Sequence, residues 1–376
     1  MLHRLRQAVG RHLVNSQGWR TDRKIVVFES DDWGTIRMSS KNNLTKLSDL
    51  GIKTQRCHYD ENDALASEED LTQLFELLSS HKDSQGKCPV ITANVIMTNP
   101  DFDKIKAADF TEYHYEVFTE TLDKYPNHKN SFKLWKEGIK GSLFYPQYHG
   151  REHLNVMRWM KCLKDSESET RKAFNAGVFG LSNTVVSEDR KSHLASYDWD
   201  DHDSRDFVLR SIPDGLSLFE KLFGFKSLSS IAPNYYWHYD VEQVLRDNGV
   251  RYIQGSAVQK SPIINGKQYK KIRHFTGQKN DLGQWYLVRN CKFEPSSDPS
   301  IDWVNHCLNH IRTAFFWGKP AIIESHRVNY IGFIHQKNRD KSLQMLDLLL
   351  KKIIDTWPEV EFMTSDQLGK LIEEDG

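Results

Sequence analysis

The run Ile25-Val26-Val27-Phe28 passes directly into Glu29-Ser30-Asp31-Asp32-Trp33-Gly34. Four apolar, mostly β-branched residues bounded by polar ones predict a buried strand. Such a strand delivers two adjacent carboxylates and a glycine to the rim of a sheet or barrel, where ligands and chemistry usually sit. Neighbouring acids repel, and burying both without compensation is costly, so they need a cation, hydrogen-bond donors or water. A solvated Asp-Asp turn would satisfy the same two residues.

Further along, strands and helices alternate in a βαβ series. Ser67-Glu68-Glu69-Asp70 followed by Leu71, Leu74, Phe75, Leu77 and Leu78 predicts a capped amphipathic helix, and Val90 to Met97 a second buried strand. Residues 101–140 are polar and aromatic with no Gly/Ser/Pro-rich linker, which predicts a helical insertion rather than a separate domain. Leu143-Phe144-Tyr145 predicts a strand leading into Pro146 and then His149-Gly150-Arg151-Glu152-His153. If a helix opens at His149, both imidazoles lie on one face and reach one ion. Val178 to Leu181 and Leu228 to Ala232 read as strands, and the acidic run Tyr197 to Asp203 as a solvated loop. Ile272 to Phe275 and Trp285 to Val288 read as a β-hairpin insertion. Trp303 to Trp317 reads as a helix stopped at Gly318-Lys319-Pro320, followed by the strand Ala321-Ile322-Ile323 with Glu324-Ser325-His326-Arg327 at its carboxyl end.

Three strand ends thus carry reactive groups: Asp31 and Asp32, His149 and His153, and His326. Two histidines and one carboxylate form a three-ligand set that leaves positions open on a divalent ion, as metal-assisted hydrolysis requires, and the second aspartate remains free as a base.

This ordered set resembles the polysaccharide deacetylases of the NodB-homology type, carbohydrate esterase family 4. The Asp31-Asp32 strand end, the His149 to His153 segment, Pro233-Asn234-Tyr235 and Glu324-Ser325-His326 match the family's motifs in order. The resemblance implies a distorted (β/α) barrel carrying helical and β-hairpin insertions, formed by residues 1–376 as one domain. It implies that Asp32, His149 and His153 hold the metal, zinc first with cobalt, nickel or manganese as alternatives. Asp31 would then be the general base and His326 the acid for the leaving amine. The backbone N–H of Tyr235 or Tyr236 would bind the oxyanion, with Tyr235, Tyr236, Trp33, Glu324 and Arg327 as substrate contacts. Trp33 is inserted before the first motif's glycine, Glu324 stands where the family has an apolar residue, and Arg210 and Arg327 are candidates to orient the base. The implied activity is hydrolysis of N-acetyl groups, ahead of O-acetyl groups, on a carbohydrate. Hydrolysis of a non-carbohydrate amide, and an inactive carbohydrate-binding barrel, remain open.

Composition narrows the setting. Lys+Arg and Asp+Glu both total 51 in 376 residues, so there is no strong basic field and nucleic acid is not an expected partner. Five cysteines in no paired spacing argue against a disulfide framework. The N-terminal basic segment 1–20 has no uninterrupted apolar core, which leads to the expectation of a cytoplasmic protein. Within it Leu2, Leu5, Val9, Leu13 and Val14 predict a short amphipathic helix that packs on the body of the protein, ahead of lying on a membrane.

Overall fold

The computed structural model describes residues 2–185, 192–266 and 268–376, with side chains from Val9 onward. The side chains of Leu2, Arg4, Leu5 and Arg6 lie outside the described residues. Eight parallel strands form the main sheet: β1 (Ile25–Trp33), β2 (Ile91–Ile96), β5 (Phe144–Gly150), β6 (Ser229–Ile231), β7 (Tyr252–Gly255), β10 (Trp285–Val288), β11 (Cys291–Lys292) and β12 (Ala321–His326). Their order is β10-β7-β6-β5-β2-β1-β12-β11, and β13 (Glu361–Met363) pairs with the first residues of β1. Two antiparallel pairs lie apart from it, β3 (Thr98–Pro100) with β4 (Tyr115–Val117), and β8 (Val258–Ser261) with β9 (Lys270–Arg273).

The two ends of the main sheet belong to one run of chain. β10 pairs with β7, and only two residues later β11 pairs with β12. Between them the Arg289 N–H donates to Gly255 O at 2.8 Å and the Asn290 N–H to Ile322 O at 3.1 Å. Residues 285–292 therefore act as a seam that curls the sheet back on itself.

Alternation along β1 sorts its side chains. Val26 and Phe28 join the outer core between sheet and helices, whereas Ile25 and Val27 join a smaller inner cluster with Tyr252, Leu287, Ile322, Leu368 and Ile372. Leu368 and Ile372 come from the terminal helix Ser365–Asp375, which contacts β1, β7 and β10 and plugs the amino end of the barrel. Gly369 makes that plug fit, since a Cβ there would stand 2.4 Å from Cγ of buried Tyr252. Gly369→Ala is expected to cost about 1–3 kcal/mol through overpacking, read as a lower urea midpoint; an unchanged midpoint would mean that the helix can shift.

Local signals explain several elements. Ser67 caps the helix Glu68–Ser79 in a capping box, with its hydroxyl accepting from the Asp70 N–H while the Asp70 carboxylate accepts from the Ser67 N–H. Asp302 caps Trp303–Phe316 by accepting from the Asn305 N–H. Residues 101–140 fold as three helices, Phe102–Ala107, Phe118–Lys124 and Ser131–Lys140, together with β4.

Four sequence expectations are corrected. Val178 to Leu181 form no strand: Phe179 packs instead on Trp159, and Gly180 has φ +66°. The expected hairpin does not form, because Trp285–Val288 joins the main sheet and β9 pairs with β8. No helix opens at His149, which lies inside β5 one residue before its end; the helix Val156–Leu163 starts only where Asn155 accepts from the Arg158 N–H. The acidic run is not simply solvated. Asp198 is buried against Arg158 at 2.7 Å and accepts from the Tyr269 hydroxyl at 2.8 Å, while Asp201 caps the helix His202–Phe223.

Candidate metal centre

At the carboxyl ends of β1, β5 and β12 lies a cavity of about 370 Å³ bordered by Asp31, Asp32, His149, His153, Tyr235, Glu324 and His326. In a regular strand Asp31 and Asp32 would point to opposite faces. Two irregularities bring both to this rim. The pairing of β1 with β2 shifts register between Ser30 and Trp33, and Asp32 has the left-handed φ of 72°. A non-glycine residue in that region carries local strain, of the kind that concentrates at functional sites.

Asp32 meets the two histidines. Its Oδ1 lies 3.4 Å from His149 Nε2 and 3.2 Å from His153 Nε2, and all three residues are buried. The His149 Nδ1–H donates to Ile231 O at 2.9 Å, which leaves Nε2 as a lone pair with no hydrogen-bond partner among the described residues. A lone pair facing carboxylate oxygen calls for a cation between them. Two donors bound at about 2.0–2.1 Å to one tetrahedral ion stand about 3.3 Å apart, so the observed spacings fit an ion. Burial lowers the His153 pKa, favouring the neutral imidazole that ligates metals. Burial alone would raise Asp32, but the adjacent His153 and His149 imidazoles and the Arg37 guanidinium hold it well below the usual carboxylate range.

Asp31 turns the other way. The Arg289 guanidinium donates to it in bidentate fashion, Nη2 to Oδ1 at 2.6 Å and Nη1 to Oδ2 at 2.8 Å, while the Asn94 amide donates to Oδ1 at 2.8 Å. Against the upward push of burial, Arg289 keeps Asp31 far below its ordinary pKa. The same guanidinium donates through Nε to Glu29 Oε2 at 2.6 Å, and the Tyr235 hydroxyl accepts from Nη1 at 3.2 Å. Glu29 and Asp31, two residues apart on the inner face of β1, thus grip one arginine from the seam.

His326 pairs in register with Asp31, and its Nε2 lies 3.8 Å from Asp31 Oδ2. Its Nδ1 hydrogen-bonds Glu294, which also accepts from the Asn329 amide at 2.8 Å. Burial pushes the imidazole down, but Glu294, with Asp31 and Asp32 beyond, raises its pKa to about 10. The charge pair contributes stability that is fully present below the ordinary histidine value of 6.5 and is lost as pH rises through about 10. In metal-free protein the His326 ring protons are expected to titrate near that value by NMR, and at lower pH in Glu294→Gln, because burial then acts with less opposition. A His326 titration near 6.5 in the unsubstituted protein would contradict this pairing.

The other expected contacts divide. Tyr235 and Glu324 border the cavity, and the Lys292 ammonium lies 4.0 Å from the Glu324 carboxylate. Three residues do not reach it. Trp33 is fully buried against Trp135 and Phe144, with its indole N–H on Ser30 Oγ, because β1 continues through it into the core. Tyr236 packs on Tyr269 beyond the rim. Arg327 is buried on Asp63 at 2.7 Å and on Thr35 O, and supports the rim through Asp63 and Arg37. Both N–H groups proposed for an oxyanion are already engaged, Tyr235 with Ala232 O at 3.0 Å and Tyr236 with Pro233 O at 3.3 Å. The arginine on Asp31 is neither Arg210 nor Arg327 but Arg289. The signal for Arg289 was its place just past the apolar run Trp285 to Val288, and for Glu294 its place just past the alternating Cys291-Lys292-Phe293, both hidden by the hairpin reading.

No family profile and no curated protein matches this sequence. Solved structures of similar topology include a protein assigned as a polysaccharide deacetylase from Mycobacterium smegmatis, at 9% identity and TM-score 0.46 over 96% of this chain and 94% of that one. A peptidoglycan deacetylase from Bacillus subtilis matches at 11% identity and TM-score 0.31, over 94% of this chain and 92% of that one. A 4-alpha-glucanotransferase from Thermococcus litoralis matches at 9% identity and TM-score 0.45, over 92% of this chain and 40% of that one. At such low scores and identities, none of these likenesses bears on function.

Proposed function

We propose that this chain is a metal-dependent carbohydrate deacetylase of the NodB-homology type, acting on N-acetyl groups ahead of O-acetyl groups. The observation that carries this reading is the convergence of Asp32 Oδ1 on two imidazole Nε2 atoms, at 3.4 and 3.2 Å, beside a second carboxylate clamped by arginine. Asp32, His149 and His153 would hold the ion, with zinc first and cobalt, nickel or manganese compatible with the same donors. When bound, the ion supplies Lewis acidity that acidifies water and polarises the acyl carbonyl.

The remaining roles fall to the chain. Asp31 stays ionised and accepts the proton at Oδ2, the oxygen nearer His326. His326 stays protonated and delivers a proton from Nε2 to the departing nitrogen or oxygen. Arg289 fixes the first group and Glu294 the second. Tyr235 and Glu324 border the space in which the sugar would lie.

Elemental analysis of the purified chain tests the centre: about one divalent ion per chain is expected, and none in Asp32→Ala. Acetate release from N-acetylated and O-acetylated saccharides tests the reaction. An ion that survives Asp32→Ala sinks the ligand set. Saccharide binding without release under every divalent metal would make the protein a binding barrel instead.

A further inference from the structure

We propose that the helix Leu2–Asn15, together with the end of the helix Trp303–Phe316, forms a docking face for an anionic lipid surface. The two helices pack on each other, and their junction leaves apolar side chains in solvent. Val9 is 51% exposed, Leu13 60% and Phe316 76%. Exposed apolar residues clustered in this way mark an interaction site rather than ordinary surface.

The polar groups around them define the partner. His12 is exposed and sets its ring edge-on to Phe316 at 6.3 Å and to Trp317 at 6.2 Å, accepting from the Trp317 indole N–H at 2.9 Å. The exposed Arg20 guanidinium lies 5.7 Å from the Trp317 ring centroid, and exposed Arg312 stands one turn before Phe316. Neither fourteen-residue helix contains an aspartate or glutamate. Since Asp and Glu make up 51 of 376 residues and the chain as a whole is neutral, this acid-free pair is a local concentration of positive charge. Apolar side chains, an indole and arginines without interspersed acids match the boundary layer of an anionic bilayer, where acyl chains and charged headgroups meet. A protein partner of mixed charge would leave these arginines poorly matched.

The face is remote from the candidate metal centre. Phe316 precedes the amino end of β12, whereas the cavity opens at the carboxyl ends of the strands.

Co-sedimentation of the full chain with vesicles tests the proposal. Vesicles of phosphatidylcholine carrying about a third phosphatidylglycerol are expected to bind at least ~10-fold more protein than phosphatidylcholine alone, and to release it as salt rises. L13E/F316E is expected to lose at least ~10-fold of that binding with its metal content unchanged. Phe316→Ser alone, a milder change at an exposed position, is expected to reduce it in the same direction. Equal binding to both vesicle types, no binding to either, or full binding by both variants would overturn the proposal. So would a dimer detected by light scattering that L13E/F316E dissociates, which would assign the face to a second copy of this chain.

Discussion

Arg289→Met is expected to destabilise the protein by about 3–5 kcal/mol, the range seen when one member of a buried charge pair is removed. Glu29 and Asp31 are both buried and share this one guanidinium, through contacts of 2.6 to 2.8 Å. Without it, the native state can relieve the two acids only by keeping protons on them, so it binds more protons than the unfolded chain. The stability of the variant should therefore fall as pH rises above the ordinary carboxylate range. Urea denaturation at several pH values reads both effects. Adding Glu29→Gln should recover part of the loss; a cost below about 1 kcal/mol would mean that the acids are not ionised in the native state.

Asp31→Asn should lower kcat by about 10²- to 10⁴-fold, the usual worth of a positioned proton acceptor, while the chain keeps its ion and its KM. The substitution preserves shape and leaves Asp32, His149 and His153 untouched. It also removes the charge opposite Arg289, so a modest loss of stability accompanies it. Steady-state kinetics with elemental analysis on the same preparation separates the two roles. Full activity would remove Asp31 as the base, and loss of the ion would mean that Asp31 helps to bind it. Asp32→Ala, by contrast, should lose ion and activity together.

The sequence made some of this legible and hid the rest for identifiable reasons. The β-branched run at Ile25 to Phe28 and the paired acids behind it were readable, since strand burial and the placement of reactive groups at strand ends are local signals. The convergence of Asp32, His149 and His153 was readable only as a three-ligand chemistry. Its geometry came by a different route: a strand end and a loop, not the turns of a helix. Asn155 shows why, because its cap starts the helix after both histidines. Trp33 was misread because the strand was assumed to stop at the acids. Its indole belongs to the aromatic core with Trp135 and Phe144, which a shift of register and a left-handed aspartate made reachable. Arg289 and Glu294 were missed because pairing partners in a sheet are non-local. A short apolar run cannot announce whether it completes a hairpin or closes a barrel.

That closure has a consequence for how such a chain can diversify. Loops on the rim can lengthen with little effect on the strands below, but the two residues between Val288 and Cys291 join both edges of the sheet and include the arginine that serves Glu29 and Asp31. A single residue inserted there would move Arg289 off its acids and slip one edge against its neighbour in the same event. Architecture and proton chemistry are joined at this point, and lineages descended from such a chain should keep its length fixed even where every surrounding loop drifts.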